Sequence, residues 1–413
     1  MISMRAVLVC VALTGCGFSP HDAVPDGPPR DTTPGDGSGS NIGFAPVHLT
    51  LADGQPGSTD LVLDGVGEID TTNLLVSGHA LVAGELDLKM QVAPGGSQVA
   101  VLHVRSLKVS AGANITVSGM FPLIVVASES IDIAGTLDAS AHGTLAGPGG
   151  RGPGGGPGAG ARGGHAIATT DTGGGGGGFG EVGGAGGDIT GCAGPHVGGV
   201  GGPINGDGAL TVLVGGSGGG AGESGACNDN PGGAGGGAIQ LTSWTNIVIE
   251  STGVISAGGG GGQGGIDCGS SDGNSGAGGG SGGAIVLQAS NVDNYGVVAA
   301  NGGGGGGGGS GSGDPTPPFL GTGDPGENAG ANDVPAMGGA GVGGSGFPGA
   351  NGGAGLTPAE DALANTCGNN AGGGGGAVGR IAVAMSYTDH GITSPAPDTS
   401  LPCGSTCNAG DTL

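Results

Sequence analysis

"GGGSGGAIVLQASNV", residues 278–292, joins a run of glycine to an abrupt run of strand-forming residues and then to polar ones. The same grammar recurs as "GGGAIQLTSWTNIVI" at 235–249 and "GGGAVGRIAVA" at 373–383. The apolar runs are short, β-branched and bounded by Gly, so they read as strands. Four longer segments line up: "LIVVASESIDIAGTLDAS" (123–140), "AIQLTSWTNIVIESTGVISA" (238–257), "AIVLQASNVDNYGVVAA" (284–300) and "AVGRIAVAMSYTDHGITS" (377–394). The first three share strand, polar corner, strand, Gly corner, strand; the fourth reads as degenerate. Such a unit cannot bury its own apolar face, but it can by stacking on copies of itself. The pattern predicts an all-β chain, a parallel β-helix or solenoid, with corner Asn, Ser and Thr free to form ladders between coils.

Residues 46–140 hold most of the remaining alternation. "VAVLHVRSLKVSAGANITVSG" (99–119) places Val99, Val101, Val104, Leu107, Val109, Ile115 and Val117 at strand spacing. No segment has a strong 3.6-residue period. The one helix candidate is "TPAEDALANTC" (357–367), with Thr as N-cap, Pro at the first helical position and an acidic first turn.

Between the units lie Gly-rich insertions at roughly 141–237, 258–283 and 301–376. Glycine makes up 112 of 413 residues, against roughly 7% on average. Two conformations fit these tracts. One is disorder. The other is a bundle of polyglycine-II helices, the glycine version of polyproline II with three residues per turn. A collagen frame is excluded, because the Gly-X-Y register starting at Gly149 breaks at Ala161.

Thirty-three acidic residues face eight basic ones, for a net charge of −25. Nucleic acid and anionic membrane faces need a basic surface, so both are excluded as partners of the body. Only Arg30, Lys89, Arg105, Lys108, Arg151, Arg162 and Arg380 remain once the first 15 residues are set aside. That is too sparse a set to hold uronic acids well.

The amino terminus, "MISMRAVLVCVALTGC", has one cation (Arg5), an apolar run (Ala6–Leu13) and then small residues. This is the layout of an export signal, too short to remain as a transmembrane helix. Its last four residues, Leu13-Thr14-Gly15-Cys16, resemble the lipobox of bacterial lipoproteins. The resemblance implies cleavage before Cys16, lipid on Cys16 and, with Gly rather than Asp at position 17, an outer-membrane location. The expected organisation is a signal peptide at 1–15, a lipid-anchored flexible linker at 16–45, the strand-rich start of the solenoid at 46–140, its Gly-rich continuation at 141–395 and a tail at 396–413. No transmembrane helix is expected in the mature chain.

Six cysteines remain for disulfides in an exported protein: Cys192, Cys227, Cys268, Cys367, Cys403 and Cys407. All fall in loop-like stretches. Sequence proximity suggests Cys403–Cys407 and Cys192–Cys227, leaving Cys268–Cys367.

The alternation of Gly-Gly-Ala and Gly-Gly-x tracts with short Val/Ile strands over 141–390 resembles PGRS-type Gly-rich proteins and Gly-rich β-solenoid surface lipoproteins. The helical Pro-Glu domain that precedes such tracts in the best-known family is absent, so that family's targeting does not carry over. The resemblance implies a surface role, structural or adhesive, with a glycan or matrix ligand. The alternatives are a polysaccharide lyase or hydrolase on a β-helix and a passive Gly-rich spacer.

No nucleophile elbow, phosphate loop or HExxH motif is present, and no catalytic residue is assigned. A β-helix enzyme would need acids, or acid plus Lys/Arg, on one face of adjacent coils; Asp132, Asp138 and Asp293 are the candidates. "GGAGGDITG" (183–191) is a single imperfect copy of a Ca²⁺-binding nonapeptide, with Asp188 as a weak ligand candidate. Cys192 with His196 lacks the second pair that a zinc site requires, so no metal or other cofactor is assigned. Trp244 and Tyr295, in corresponding segments, are candidates for stacking on sugar.

Overall fold

The computed structural model describes residues 46–50, 52–79, 86–167, 170–192, 194–206, 208, 210–223, 230–267, 273–310, 321–342, 347–366 and 370–399. All lie within one compact unit, Ile42–Leu413. Among the described residues there are strands and turns and no helix. None therefore forms a helix long and apolar enough to cross a membrane. The expected signal peptide, the linker and Cys16 lie outside the described residues.

Two sheets carry the body. In the first, Gln98–Val104, Leu123–Ala127, Ala238–Ser243, Ala284–Asn294 and Arg380–Asp389 lie side by side in parallel and in chain order. The same sheet holds Asp60–Leu63, Ser106–Val109, Ile131–Ile133 and Asn246–Ile249, also parallel, ending on the second half of Ala284–Asn294. The second sheet runs Val66–Asp70, Asn114–Ser118, Thr136–Asp138, Val254–Ser256, Val297–Ala299, Ile392–Ser394. Antiparallel Leu75–Val76 and Asp87–Val92 join Val66–Asp70 and Gln98–Val104, so both sheets are mixed.

The segment at 377–394, which reads as degenerate, pairs with the preceding one from Ala284↔Arg380 to Asn294↔Asp389, with a single register shift between Gln288 and Asn291. Residues 98–118 form a further unit of the same plan.

Alternation puts Leu107, Ile131, Ile247 and Val292 in one inward row and Val109, Ile133, Ile249 and Asn294 in the next. With Leu123, Val125, Leu137, Ile239, Leu241 and Ile255 they form one buried core. Each such side chain contributes roughly 1.5–3 kcal/mol on burial. Asn294 ends its row as a polar member: its Nδ2 donates to Asp389 Oδ1 (2.9 Å) and Thr393 Oγ1 (3.1 Å), and its Oδ1 accepts from Gly296 N–H (3.0 Å). Side-chain bonds also link neighbouring strands of the second sheet: Ser256 Oγ donates to Asp138 Oδ1 (2.6 Å), its register partner, and Ser394 Oγ donates to Asn301 Oδ1 (2.6 Å).

The outer face of the first sheet is covered as well. Ile124, Val126 and Val286 pack with Leu49, Phe179, Leu210 and Leu213. Polar groups under this cover are paired. Gln240 Nε2 donates to Thr242 Oγ1 (2.9 Å), Gln240 Oε1 lies 2.6 Å from His48 Nδ1, and Gln288 Oε1 accepts from Val47 N–H (3.0 Å). His48 Nε2 contacts the Leu210 carbonyl, so one buried imidazole ties the chain near residue 48 to the sheet and to the 210–214 segment.

The glycine insertions leave the third strand of one unit and return as the first strand of the next. Their described residues are ordered by a three-residue rule. Gly173 and Gly176 donate N–H to the carbonyls of Gly187 and Gly184; Gly174 and Gly177 donate to Gly276 and Gly279; Gly175 and Gly178 donate to Ala161 and Gly158, all at 2.7–3.1 Å. Each successive residue thus faces a different neighbour, and every third returns to the same one. The second neighbour runs parallel and the other two antiparallel. The same rotation governs 302–309, which bonds in turn to Gly353 and Ala350, to Gly280 and Ala277, and to Glu327 and Asp324.

None of the glycines from 173 to 187 has a positive φ, so glycine is needed here for its missing Cβ and not for left-handed backbone. A Cβ at Gly176 would overlap the carbonyl of Gly375.

Of the helix expected at 357–367, the described residues 357–366 form none. Thr357 and Ala354 exchange backbone bonds (2.8 and 3.0 Å), and beyond them the chain is extended. An isolated helix of this length is marginal. Extended, the segment serves the glycine bundle: Ala362 N–H donates to Ala185 O (2.9 Å), and Glu360 O accepts from Gly375 N–H (3.1 Å).

Gly176→Ala should lower the unfolding temperature, by an amount matching about 1–3 kcal/mol or more of overpacking. Gly152→Ala, where an added Cβ meets nothing within 4 Å, should leave it nearly unchanged; differential scanning calorimetry of the pair checks both.

His103 is 3% exposed. Its Nδ1–H faces the Gln55 carbonyl, leaving Nε2 to accept from Gln91 Nε2–H (3.1 Å). Burial lowers its pKa from 6.5, Lys89 lowers it further, and the Gln55 bond with the Asp87 and Asp53 charges opposes them. The neutral ring therefore stabilises the fold fully above pH 6.5, and this contribution is lost as pH falls through the depressed folded value. The unfolding temperature should drop between pH 7 and pH 5 by more in the native chain than in His103→Gln.

Candidate functional site

The side chains that alternate away from the core along Ser106–Val109, Ile131–Ile133, Asn246–Ile249 and the second half of Ala284–Asn294 face outward. Register lines them up as Lys108, Asp132, Val248 and Asp293, continued by Thr388. The next row lies at the corner after these strands. Glu250 N–H donates to Ile133 O, Tyr295 N–H to Ile249 O and His390 N–H to Asn294 O, each at 2.8 Å, which stacks Ala134, Glu250, Tyr295 and His390. The Tyr295 and His390 rings are themselves stacked, with centroids 5.1 Å apart and planes 17° from parallel, close to the spacing of neighbouring strands.

A groove of about 460 Å³ runs between the two rows, lined by Lys108, Asp132, Ala134, Glu250, Ser251 and Thr252. Asp132 Oδ2 accepts from Ser130 Oγ (3.0 Å), and Asp293 Oδ2 from Asn291 Nδ2 (2.6 Å). The arrangement offers an ammonium, two carboxylates and hydroxyls along an open channel, with an aromatic pair continuing one wall. It can hydrogen-bond a chain of hydroxyls. Asp132 and Asp293 stand two strands apart, roughly 10 Å by the strand spacing, with Val248 between them.

The other candidates scatter. Asp138 belongs to the second sheet, where its Oδ1 accepts from Ser256 Oγ (2.6 Å) and from Ser140 N–H (2.9 Å); it is not part of the groove. Asp188 accepts from Gly198 N–H (2.7 Å) and so closes a turn of the bundle. Among the described residues no group of three or more His, Cys, Asp or Glu could hold a metal ion. The backbone of Cys192 ends the strand Ile189–Cys192, rather than lying in a loop. Cys227, Cys268, Cys367, Cys403 and Cys407 lie outside the described residues, as does the Cys192 side chain. Trp244 follows the first strand of its unit and Tyr295 the second, so the two stand at different corners and form no common platform.

Sequence reading missed Lys108, Glu250 and His390 as neighbours of Asp132 and Tyr295. The signal was present, since one consistent strand register through all the units brings them together.

Among the described residues, three of the other cations pair with carboxylates. Lys89 meets Asp87 (3.0 Å), Arg162 meets Glu223 (2.6 Å), and Arg105 Nε donates to Asp60 Oδ1 (2.8 Å). The Arg105 hydrogen bonds, with a further one from Ser106, lower the Asp60 carboxyl from 3.8 to about 2. No family model, curated protein or solved structure matches the chain.

Arg105→Gln should return the Asp60 pKa toward 3.8, read by carboxyl ¹³C shifts across an acid titration.

Proposed function

We propose that this chain is an exported, lipid-anchored surface protein whose Gly-rich β-solenoid serves a structural and adhesive role. In this reading the two sheets are the walls of a parallel β-helix and the glycine insertions are a polyglycine-II bundle docked on it. The observation that carries it is the three-residue rotation of backbone hydrogen bonds through the insertions. A chain that bonds the described residues of its glycine tracts in this way presents a stiff body whose working surface is shape and exposed backbone. The Leu13-Thr14-Gly15-Cys16 motif supports lipid on Cys16 and an outer-membrane location. The acidic charge and the paired cations favour an uncharged glycan over a polyanion as ligand. One observation favours a second reading, an enzyme acting on extracellular polysaccharide: Lys108, Asp132 and Glu250 share a groove.

Co-sedimentation of purified residues 46–413 with insoluble neutral polysaccharide, with reducing ends assayed in parallel, separates these readings. The adhesive reading expects protein in the pellet and no new reducing ends. New ends would overturn it in favour of the enzyme. Protein left in the supernatant would leave a passive spacer. Labelled palmitate carried by the native chain and lost in Cys16→Ser checks the anchor.

A further inference from the structure

The groove on the first sheet is built from three successive units. Lys108 comes from one, Asp132 and Ala134 from the next, and Glu250, Ser251 and Thr252 from the one after. Neighbouring strands lie about 4.8 Å apart, so the groove crosses the strands over two such steps. The corner row carries the same line one step further to Tyr295 and another to His390. Thr252 Oγ1 donates to Ala134 O (2.7 Å) and fixes the wall on that side.

The groups along this line are open to a ligand. Lys108, Glu250 and Ser251 are exposed. The side chains of Lys108 and Glu250 have no hydrogen-bond or ion-pair partner among the described residues, whereas Lys89, Arg105 and Arg162 are engaged by Asp87, Asp60 and Glu223. Tyr295 is 47% exposed. Its ring is backed by that of His390 on the side away from Glu250, so the pair stands as a braced aromatic step at the end of the groove.

An ammonium can only donate and a carboxylate can only accept, and the groove holds both. A ligand made of hydroxyls serves both, because each hydroxyl donates and accepts; an ion of either sign meets a like charge in the groove. A sugar ring adds an apolar C–H face, which suits an exposed aromatic side chain. The groove's volume of about 460 Å³ exceeds the roughly 150 Å³ that holds one benzene ring and takes roughly two or three sugar rings rather than one. We propose that this groove binds a run of three or four rings of a linear neutral glycan lying across the strands, with Lys108 and Glu250 bonding its hydroxyls and the last ring seated against Tyr295. The proposal rests on the glycan-binding reading above and gives it a site and a minimum ligand length.

Calorimetric titration of residues 46–413, which hold every described residue, with cello- and laminari-oligosaccharides of two to six units tests it. Affinity for at least one series should rise roughly tenfold or more from two units to four, as added rings gain hydrogen bonds to charged groups, and then level off. Lys108→Met should weaken the four-unit ligand roughly tenfold or more. Tyr295→Ala should weaken it roughly three- to tenfold, while Tyr295→Phe, which keeps the ring, should bind as the native chain does. Thermal melts confirm that the variants fold, as expected for exposed side chains. No binding of either series, affinity that stops rising at two units, undiminished binding in folded Lys108→Met or Tyr295→Ala, or equal loss in Tyr295→Phe and Tyr295→Ala overturns the assignment. If it is overturned while the protein still sediments with polysaccharide, only the groove falls. If sedimentation fails too, the adhesive reading falls with it.

Discussion

The structure depends on the amide-to-carbonyl hydrogen bond between neighbouring glycine segments. A tract without side chains has no apolar surface worth burying, and ordering its backbone costs on the order of 1–2 kcal/mol per residue. What offsets that cost is density of pairing. Through 173–178 and 302–309 each N–H reaches a carbonyl on a neighbour, three neighbours are served in rotation, and the approach is close enough that a single methyl group would collide with a carbonyl. The β sheets supply what the bundle lacks. Their parallel register fixes where each insertion leaves and where it returns, and their Ile, Leu and Val rows provide the hydrophobic stabilisation.

This division of labour explains an unusual surface. Most sheet proteins leave one face of an outer sheet to water. Here Ile124, Val126 and Val286 are covered by a segment around His48 and Leu49 and by residues 210–214, and the polar members of that face are paired under the cover. The part of the sheet left open holds the row Lys108, Asp132, Val248, Asp293 and Thr388, charged or hydroxylated apart from Val248. The functional reading follows from which part of the face was left uncovered.

Much of the strand architecture was legible in the sequence, because alternation and β-branched residues at 99–140, 238–256 and 284–299 leave little choice. The repeat alignment was less complete. The 377–394 segment looked degenerate because setting Ala377 against Ala284 puts Gly379 and Arg380 at apolar positions, whereas the register pairs Arg380 with Ala284, and the inward positions Ile381 and Val383 stay apolar. The expected helix at 357–367 failed because cap and propensity signals are local, while the extended conformation is selected by carbonyls and amides supplied from distant glycine segments. The groove was harder to read, because its neighbours emerge only once a single strand register is carried through all the units. Asp132 meets Lys108 and Glu250 only through that register, and composition by itself cannot say which of 33 acids will meet which of 8 bases.

Identical glycines in a row raise a problem of alignment. Sliding one tract past another by three residues recreates the same bonding pattern, so the bundle by itself cannot tell the correct alignment from its neighbours. The few buried side chains that interrupt the glycine resolve this. Ser217 N–H donates to Ser281 Oγ (2.9 Å), Asn370 Nδ2 to Gly309 O (3.0 Å), Asn301 Nδ2 to Asn332 O (2.7 Å), and Asn230 Nδ2 to Gln263 O (2.9 Å). Each makes sense at one offset only. They act as index marks on an otherwise uniform ruler, so a chain can lengthen or shorten its glycine tracts in steps of three only while the strands and these marks stay in phase.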